Sequence, residues 1–371
     1  MRGTAVAALA LGLAVAVVLA GAVACAPTTT TTTPPTTTTT PTVPLSGVFG
    51  IISDWSESTH AVPVTFAAEE ATCAGCHDGR GFALGVSDPK SFVASEPFGP
   101  YVVATDCRAC HTGRGADLLE SGTVTTPTEP TPIKAGAGAV CIGCHRERSK
   151  PTSSAGPVPG APHPSIQAAV YLAYGGIRQP GVTYGSTVKH TQVTDMCVGC
   201  HMSDNSKGVP THTFLPPKNP KAICGECHEG ITTYDLAVAA DYDGNGKVQG
   251  IQDEVTGLLS KLSTATAKAM GANTLTQAKG NIVFKSGTTT ITAPVPDKVY
   301  QAAYNWALIT NDKSLGVHNP QYTVSLLQES YIVLTGAPIP NSKPFPGSKL
   351  STGTAGGTTR TPSATGTTGT P

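Results

Sequence analysis

The sequence Cys197-Val-Gly-Cys200-His201 decides how this chain folds, because its pattern, Cys-x-x-Cys-His, occurs five times. The other four copies are Cys73-Ala-Gly-Cys76-His77, Cys107-Arg-Ala-Cys110-His111, Cys141-Ile-Gly-Cys144-His145 and Cys224-Gly-Glu-Cys227-His228. Together they use ten of the 11 cysteines and five of the 10 histidines in 371 residues. Two thiols and one imidazole are therefore presented together at five places between residues 73 and 228.

This spacing has a chemical reason. Two thiols separated by two residues reach the two vinyl groups on one edge of a haem, and the adjoining histidine turns its imidazole onto the iron. The pattern therefore predicts five covalently attached haem c groups, whose proximal iron ligands are His77, His111, His145, His201 and His228. Zinc ribbons, redox disulfides and structural disulfides also use Cys-x-x-Cys, but none of them requires histidine directly after the second cysteine.

The overall composition suits a core that cofactors fill. The chain has 41 glycines, 31 prolines and only 5% aromatic residues, which is poor material for one large self-packed core. Since haem macrocycles would supply apolar surface, we expect a mostly irregular and α-helical, haem-packed fold with few short helices. Lysine plus arginine and aspartate plus glutamate number 24 each, and this balance argues against a nucleic-acid partner.

Five histidines lie outside the motifs, one for each predicted haem: His60, His163, His190, His212 and His318. Their number predicts a second imidazole on every iron, which leaves no open coordination site and suits electron transfer. His60 precedes the first motif and is a candidate ligand of the first haem or a neighbouring one, while the other pairings stay open. Met196 and Met202 flank the fourth motif and are alternative ligands, although packing against the haem edge is the simpler role.

The N-terminal residues predict export. Residues 1–24 are apolar and end in small residues, as a signal peptide does, and an uncleaved membrane anchor is the alternative. Cys25 is a candidate for lipidation, although Ala22 stands where a lipoprotein signal usually has leucine. A Thr/Pro-rich stalk over residues 25–45 follows the apolar segment, and a Thr/Gly/Pro-rich tail over residues 341–371 is expected to be disordered. We therefore expect a periplasmic, cell-surface or extracellular protein.

We expect residues 46–230 to form the haem-binding domain and residues 231–340 to form a helical segment. Apolar spacing predicts one helix around residues 255–262 that ends at Gly271 and a second that begins near Pro296. A third helix is predicted from Asn319-Pro320, directly after His318, to Gly336. Alternating residues over 282–294 suggest a short hairpin.

An acidic stretch between the motifs and these helices resembles the opening of a calcium loop. Its candidate oxygen ligands are Asp241, Asp243, Asn245 and Glu254. The twelfth position, where a calcium loop has a bidentate glutamate, is Gln252 in this chain. Calcium binding and a solvated Asp/Asn/Gly turn are therefore both open.

Residues 163–331 resemble multihaem c-type cytochromes of the superfamily that includes ammonia-forming nitrite reductase and hydroxylamine oxidoreductase. Three sequences carry the resemblance: His163-Pro-Ser-Ile-Gln with Gly175-Gly176, Cys197 to Met202 followed by His212-Thr-Phe214, and Gly316-Val-His318-Asn-Pro-Gln-Tyr322. The resemblance implies that His163, His212 and His318 are distal haem ligands. In pentahaem nitrite reductases a lysine replaces the motif histidine of the active haem, whereas all five motifs in this chain end in histidine. The resemblance therefore implies an electron-transfer relative.

The leading hypothesis is a secreted or surface-anchored carrier that passes electrons through five bis-histidine haems in anaerobic or extracellular respiration. Its partners would be other cytochromes, reductases or an extracellular electron acceptor, and it would meet a membrane only through an N-terminal anchor. Two alternatives stay open. One is a haem enzyme of the nitrite or hydroxylamine reductase type with one open haem. The other is a homo-oligomeric extracellular filament, in which a neighbouring chain supplies a distal histidine.

Overall fold

The computed structural model describes residues 45–70, 72–86, 102–156, 158–203 and 209–353. The predicted signal peptide, Cys25 and the stalk up to residue 44 lie outside these ranges. Within them, no helix combines the length and the apolar composition that a membrane span needs. The described chain is mostly helical or irregular and has two small antiparallel sheets.

The motif-bearing part consists of short helices joined by irregular chain, as the composition predicts. Its helices are α1 (Leu45–Glu57), α2 (Thr65–Glu69), α3 (Ala74–His77), α4 (Gly79–Leu84), α5 (Cys107–His111), α6 (Gly113–Ser121), α7 (Ala139–Ile142), α8 (Gln167–Tyr171), α9 (Val188–Thr191), α10 (Cys197–His201) and α11 (Lys221–Cys224). Strands β1 (Thr123–Val124) and β2 (Ile133–Lys134) form one antiparallel pair. The sequence reasoning did not foresee α1.

The C-terminal part has longer elements. They are α12 (Ile251–Ala269), β3 (Thr274–Ala278), β4 (Asn281–Ser286), β5 (Thr289–Thr290), α13 (Asp297–Asp312) and α14 (Pro320–Thr335). The three predicted helices are present. The Asn319 side chain accepts a hydrogen bond from the Tyr322 N–H at 3.2 Å at the start of α14, and Gly336 adopts φ 80° at its end. Asparagine at the N-cap and glycine in the left-handed region are typical helix boundaries.

The predicted hairpin over residues 282–294 accounts for only part of the second sheet. Strands β4 and β5 form an antiparallel pair within it, but β4 also pairs with β3, which the prediction missed. Strand β3 has the sequence Thr-Leu-Thr-Gln-Ala, with one large apolar residue, Leu275, opposite Phe284. A strand with a single large apolar side chain carries little periodic signal.

The C-terminal helices bury a larger apolar core than the composition predicts. Leu258 and Leu262 of α12, Leu308 of α13, and Leu326 and Leu327 of α14 are all fully buried. The expectation of little self-packed core is therefore wrong for this part of the chain. Whole-chain composition averages over the motif region, where the apolar clusters are small. Those small clusters fit a core that haem completes.

The expected disorder of residues 341–371 is wrong for residues 341–353. The Phe345 ring stacks on Tyr242 at 4.9 Å, and the Ser351 N–H and hydroxyl donate to the Glu329 carboxylate at 2.9 and 2.7 Å. Thr183 and Lys349 form a β-bridge through paired backbone hydrogen bonds. Tertiary contacts therefore order a segment whose composition suggests a tail. Residues 354–371 lie outside the described ranges.

Candidate functional site

Each motif lies in or directly beside one helical turn. A turn of helix places the first and fourth residues on one face, so both cysteines of a motif point the same way and the histidine follows them. In the third motif, for example, the His145 N–H donates to the Cys141 carbonyl at 2.9 Å. All ten motif cysteines are free thiols rather than disulfides. The motifs therefore present the two sulfurs and one imidazole that attachment of haem c needs.

The structure brings every motif histidine next to one histidine from outside the motifs. The ring centres are 5.9 Å apart for His77 and His163, 6.5 Å for His111 and His212, 6.1 Å for His145 and His60, 6.2 Å for His201 and His318, and 6.4 Å for His228 and His190. Each of the ten histidines belongs to one such pair. These distances lie within a narrow range although the five pairs use unrelated segments of the chain.

The distances match two imidazoles that bind one metal ion from opposite sides. A bond from imidazole nitrogen to a first-row metal is about 2 Å long, and the nitrogen lies about 1 Å from its ring centre, so the ring centres would be separated by about 6 Å. Aromatic rings in direct contact also have centres about 4.5–7 Å apart, so the distance suits both arrangements. The pairing of every motif histidine with one histidine from outside the motifs is the observation that fits an iron between the two rings of each pair.

The partner of His60 differs from the simplest expectation. His60 lies in the 3₁₀ turn Thr59–Ala61 after α1, and its ring faces His145 of the third motif rather than His77 of the first. His77 faces His163 instead. His60 and His145 are far apart in the sequence. The short sequence separation between His60 and the first motif therefore did not identify the histidine that His60 faces.

Neighbouring acceptors hold several of the candidate ligands through their Nδ1 atoms. The His145 Nδ1 atom lies 3.0 Å from the Gln167 side-chain oxygen. The His201 Nδ1 atom lies 2.9 Å from the Phe214 carbonyl, and the His212 Nδ1 atom lies 2.9 Å from the Pro210 carbonyl. An Nδ1–H donor leaves Nε2 free for a metal, and such second contacts fix the orientation of the ring. His163 differs, because its Nδ1 faces the Ser165 N–H at 3.2 Å.

Burial keeps most of these imidazoles neutral. Burial and the nearby charge of His145 lower the pKa of His60 to about 4, and burial and the charge of Arg148 lower that of His163 to about 4. A metal binds the neutral imidazole, so a low pKa favours ligation at neutral pH. His318 is the exception. Burial opposes its protonation, but the charge of Asp312 and a hydrogen bond to it raise the pKa of His318.

Arg114, Arg146 and Arg148 lie near the first and third motifs and form no ion pair with a carboxylate among the described residues. Burial, together with the charges of Arg114 and Arg148, lowers the pKa of Arg146. Arg146 donates from one terminal nitrogen to the Thr125 carbonyl at 3.0 Å, but its buried Nε has no hydrogen-bond partner. A buried donor without a partner is costly. The propionate groups of a haem would supply the missing acceptors, so this region also fits haem.

Three motifs lie next to one another. The Cys76 sulfur lies 4.0 Å from the Gly143 carbonyl, which brings the first motif to the third, and Cys197 packs against the cluster that contains Ile142, which brings the fourth motif to the third. Met196 precedes Cys197 and is buried in an apolar cluster with Val124 and Ile142. Met196 therefore packs against protein side chains, and its contact with a haem edge stays a prediction.

The predicted calcium loop gathers three of its four candidate ligands. Asp241, Asp243 and Glu254 each offer a carboxylate oxygen within 4.8 Å of the others. The fourth candidate, Asn245, instead uses its amide to bond Asp243 at 3.1 Å. Gln252, at the twelfth position, bonds the Ser314 carbonyl at 3.2 Å, and Glu254 on α12 joins the loop carboxylates in its place. The three carboxylates also accept backbone N–H groups of the loop, as a turn without an ion would do.

Sequence reasoning missed the residues that orient the imidazoles. Gln167 and Phe214 each end a sequence that carries the family resemblance, but nothing in those sequences predicted that they would face His145 and His201. Asp312 and the Pro210 carbonyl belong to no motif, and the clustering of Asp312 and Ser314 shortly before His318 was the available signal at that position. The supporting contacts therefore depend on the tertiary structure.

Comparisons with known proteins give one family match and one similar solved structure. Residues 174–339 match the cytochrome c552 family. No curated protein sequence matches the chain. Among solved structures, the crystal structure of the outer cell wall cytochrome OcwA is similar, with 17% sequence identity and a TM-score of 0.43 over 76% of this chain. The chain spans 50% of the length of that protein.

The family match includes the fourth and fifth motifs, His318 and helix α14. The first three motifs precede the matched residues and have the same Cys-x-x-Cys-His pattern. Haem c is the cofactor that this chemistry takes. The chain is therefore similar to the cytochrome c552 family over residues 174–339, and its five motifs have the pattern that attaches haem c.

Proposed function

We propose that this chain is a multihaem c-type cytochrome that carries five haem c groups, each bound by two imidazoles, and passes electrons between redox partners without a catalytic pocket. The attachment residues would be Cys73, Cys76, Cys107, Cys110, Cys141, Cys144, Cys197, Cys200, Cys224 and Cys227. Each motif histidine would bind iron on the proximal side and its paired histidine on the distal side.

One observation carries this proposal: the ten histidines form five pairs, and none is left over. An iron with two imidazoles has no free coordination position for a substrate, and its geometry changes little between the ferric and ferrous states. Both properties favour electron transfer over catalysis. The five pairs argue against the reductase alternative, since an open haem needs one motif histidine without a partner.

The same pairing argues against a filament in which a neighbouring chain supplies a distal histidine. Every distal candidate comes from the same chain as its motif, so no iron needs an imidazole from a neighbouring copy. Assembly of whole subunits into an oligomer stays part of the proposal. Export to the periplasm or the cell surface also stays part of it and rests on the predicted N-terminal signal. The partners would be other cytochromes, reductases or an extracellular acceptor.

The contacts between motifs support a continuous electron path. Since Cys76 lies beside the third motif and Cys197 packs against it, the haems that these three motifs would hold would be neighbours. Such neighbours would allow electrons to pass between the first, third and fourth motifs. The exposed Cys227 places the fifth motif at the surface, where a partner can reach a haem edge.

Calcium is a second, separate part of the proposal. Asp241, Asp243 and Glu254 would bind one ion and connect the loop to α12. Three carboxylates in close contact repel one another, and a divalent cation would offset that repulsion.

The test of bis-histidine ligation is the spin state of the irons. Low-temperature electron paramagnetic resonance of the oxidised protein should show only low-spin haem, and carbon monoxide should leave the absorption spectrum of the reduced protein unchanged. A high-spin signal or a carbon monoxide adduct in the native protein would show an open iron and favour the reductase alternative.

A further inference from the structure

One candidate ligand differs from the others in the group that accepts its Nδ1–H. The His318 Nδ1 atom lies 2.7 Å from a carboxylate oxygen of Asp312, the last residue of α13. The Asp312 side chain is fully buried, and its second oxygen accepts a hydrogen bond from the Ser314 hydroxyl. Both carboxylate oxygens are therefore fixed, and one of them is directed at the imidazole.

The acceptors at three other rings are neutral. They are the Gln167 amide oxygen for His145 and backbone carbonyls for His201 and His212. In the part of the chain that the structure describes, His318 is the one candidate ligand whose ring pairs with a carboxylate. A charged acceptor forms a hydrogen bond roughly twice as strong as a neutral one.

The position of Asp312 is unfavourable for folding alone. The carboxylate is buried at the C-terminal end of a helix, where the helix dipole disfavours negative charge. Its chargeable partner among the described residues is the His318 imidazole, and no lysine or arginine there lies within ion-pair distance. The placement is explained if the carboxylate acts on the imidazole and on the metal beyond it.

We propose that Asp312 lowers the reduction potential of the haem held by His201 and His318, so that this haem has a more negative potential than it would have with a neutral acceptor. This inference rests on the proposed bis-histidine ligation. The hydrogen bond draws the Nδ1 proton toward the carboxylate and makes the imidazole a stronger electron donor to iron. Second contacts of this kind raise ligand basicity and tune metal potentials.

The physical effect is on a one-electron equilibrium. Reduction adds one electron to the iron, and no atom or proton is transferred. The oxidised iron has the larger positive charge, so the nearby carboxylate stabilises it more than the reduced iron. Asp312 is thus a positioning and tuning residue, and it touches the metal only through His318.

The experiment uses the full holoprotein and the variant Asp312→Asn, which keeps the shape and one acceptor oxygen but removes the charge. A potentiometric titration followed by electron paramagnetic resonance should show one haem with a higher potential. We expect at least a tenfold change in its reduction equilibrium constant, which is about 59 mV for one electron. The other four potentials should stay close to their native values.

Two variants make the result specific. Asp297→Asn removes the same charge from the exposed first turn of the same helix, so it should shift no single haem. Gln167→Glu places a carboxylate at His145 and should lower the potential of a different haem, since it reproduces the arrangement at His318. This second variant also tests the idea if Asp312→Asn folds poorly.

Several outcomes would overturn the proposal. If Asp312→Asn stays fully low-spin and moves no potential more than Asp297→Asn does, the carboxylate does not tune the haem. If Asp312→Asn turns one haem high-spin, the residue holds His318 in place and its role is structural. An open iron in the native protein would instead refute bis-histidine ligation, and that result is visible before any variant is made.

Discussion

Replacement of His212 by alanine is the sharpest test of the pairing. The residue is half-buried, and we expect the variant to fold because its ring is not needed to hold the backbone around it. The backbone at this position is held independently: the Asp54 carboxylate accepts the His212 N–H at 3.2 Å and the Thr211 hydroxyl at 3.0 Å. The loss of the imidazole should therefore be a local change.

The size of the effect follows from the geometry. His111, at 6.5 Å, is the one histidine that His212 faces, and none of the other four pairs contains His212. The variant His212→Ala should therefore convert one fifth of the low-spin haem to high spin. The reduced variant should bind one carbon monoxide per chain, whereas the native protein should bind none. Quantitative electron paramagnetic resonance and a carbon monoxide titration measure the two numbers.

Two controls accompany this variant. Free imidazole should enter the vacated position and restore the low-spin signal, because only the ligand is missing. The substitution Met196→Leu should leave the spin count unchanged, since Met196 packs in an apolar cluster. A low-spin signal that survives in His212→Ala, or the loss of more than one fifth of it, would refute the one-to-one pairing. A spin change in Met196→Leu would show that methionine is a ligand.

Three further results are expected. The intact mass of the mature protein should exceed that of the polypeptide by five haems, and the double variant Cys224→Ser/Cys227→Ser should retain four; a different difference would contradict the haem count. Asn319→Ala should reduce the free energy of unfolding by about 2–4 kcal/mol in denaturant titrations. The reason is that the buried Asn319 amide makes four hydrogen bonds and caps α14. A change below about 0.5 kcal/mol would show that the cap is dispensable. Calcium should raise the thermal unfolding temperature of the native protein but not that of Glu254→Gln, and equal responses would place the ion elsewhere.

Local features of this protein could be predicted from its sequence. The attachment motifs are five residues long, and the type of cofactor follows from them without any knowledge of the fold. The same is true of the helix ends at Asn319-Pro320 and Gly336, because caps depend on neighbouring residues only. The sequence also predicted two imidazoles for each haem, because it has ten histidines and five attachment motifs.

The pairing of the histidines depended on the tertiary structure. The rings of His60 and His145 meet across 85 residues, and those of His201 and His318 across 117. The entropic cost of closing such loops rises only with the logarithm of their length, by about 0.6 kcal/mol for each doubling. Sequence separation therefore hardly distinguishes one partner from another, and packing makes the choice.

The sequence alone determined the cofactor chemistry, because covalent attachment needs only residues that are neighbours in the chain. The tertiary structure decided which imidazoles face each other, where Asp312 lies relative to His318, and that residues 341–353 are packed rather than free. These features depend on contacts between distant segments, in which each residue is ordinary and only its neighbours in space give it a role.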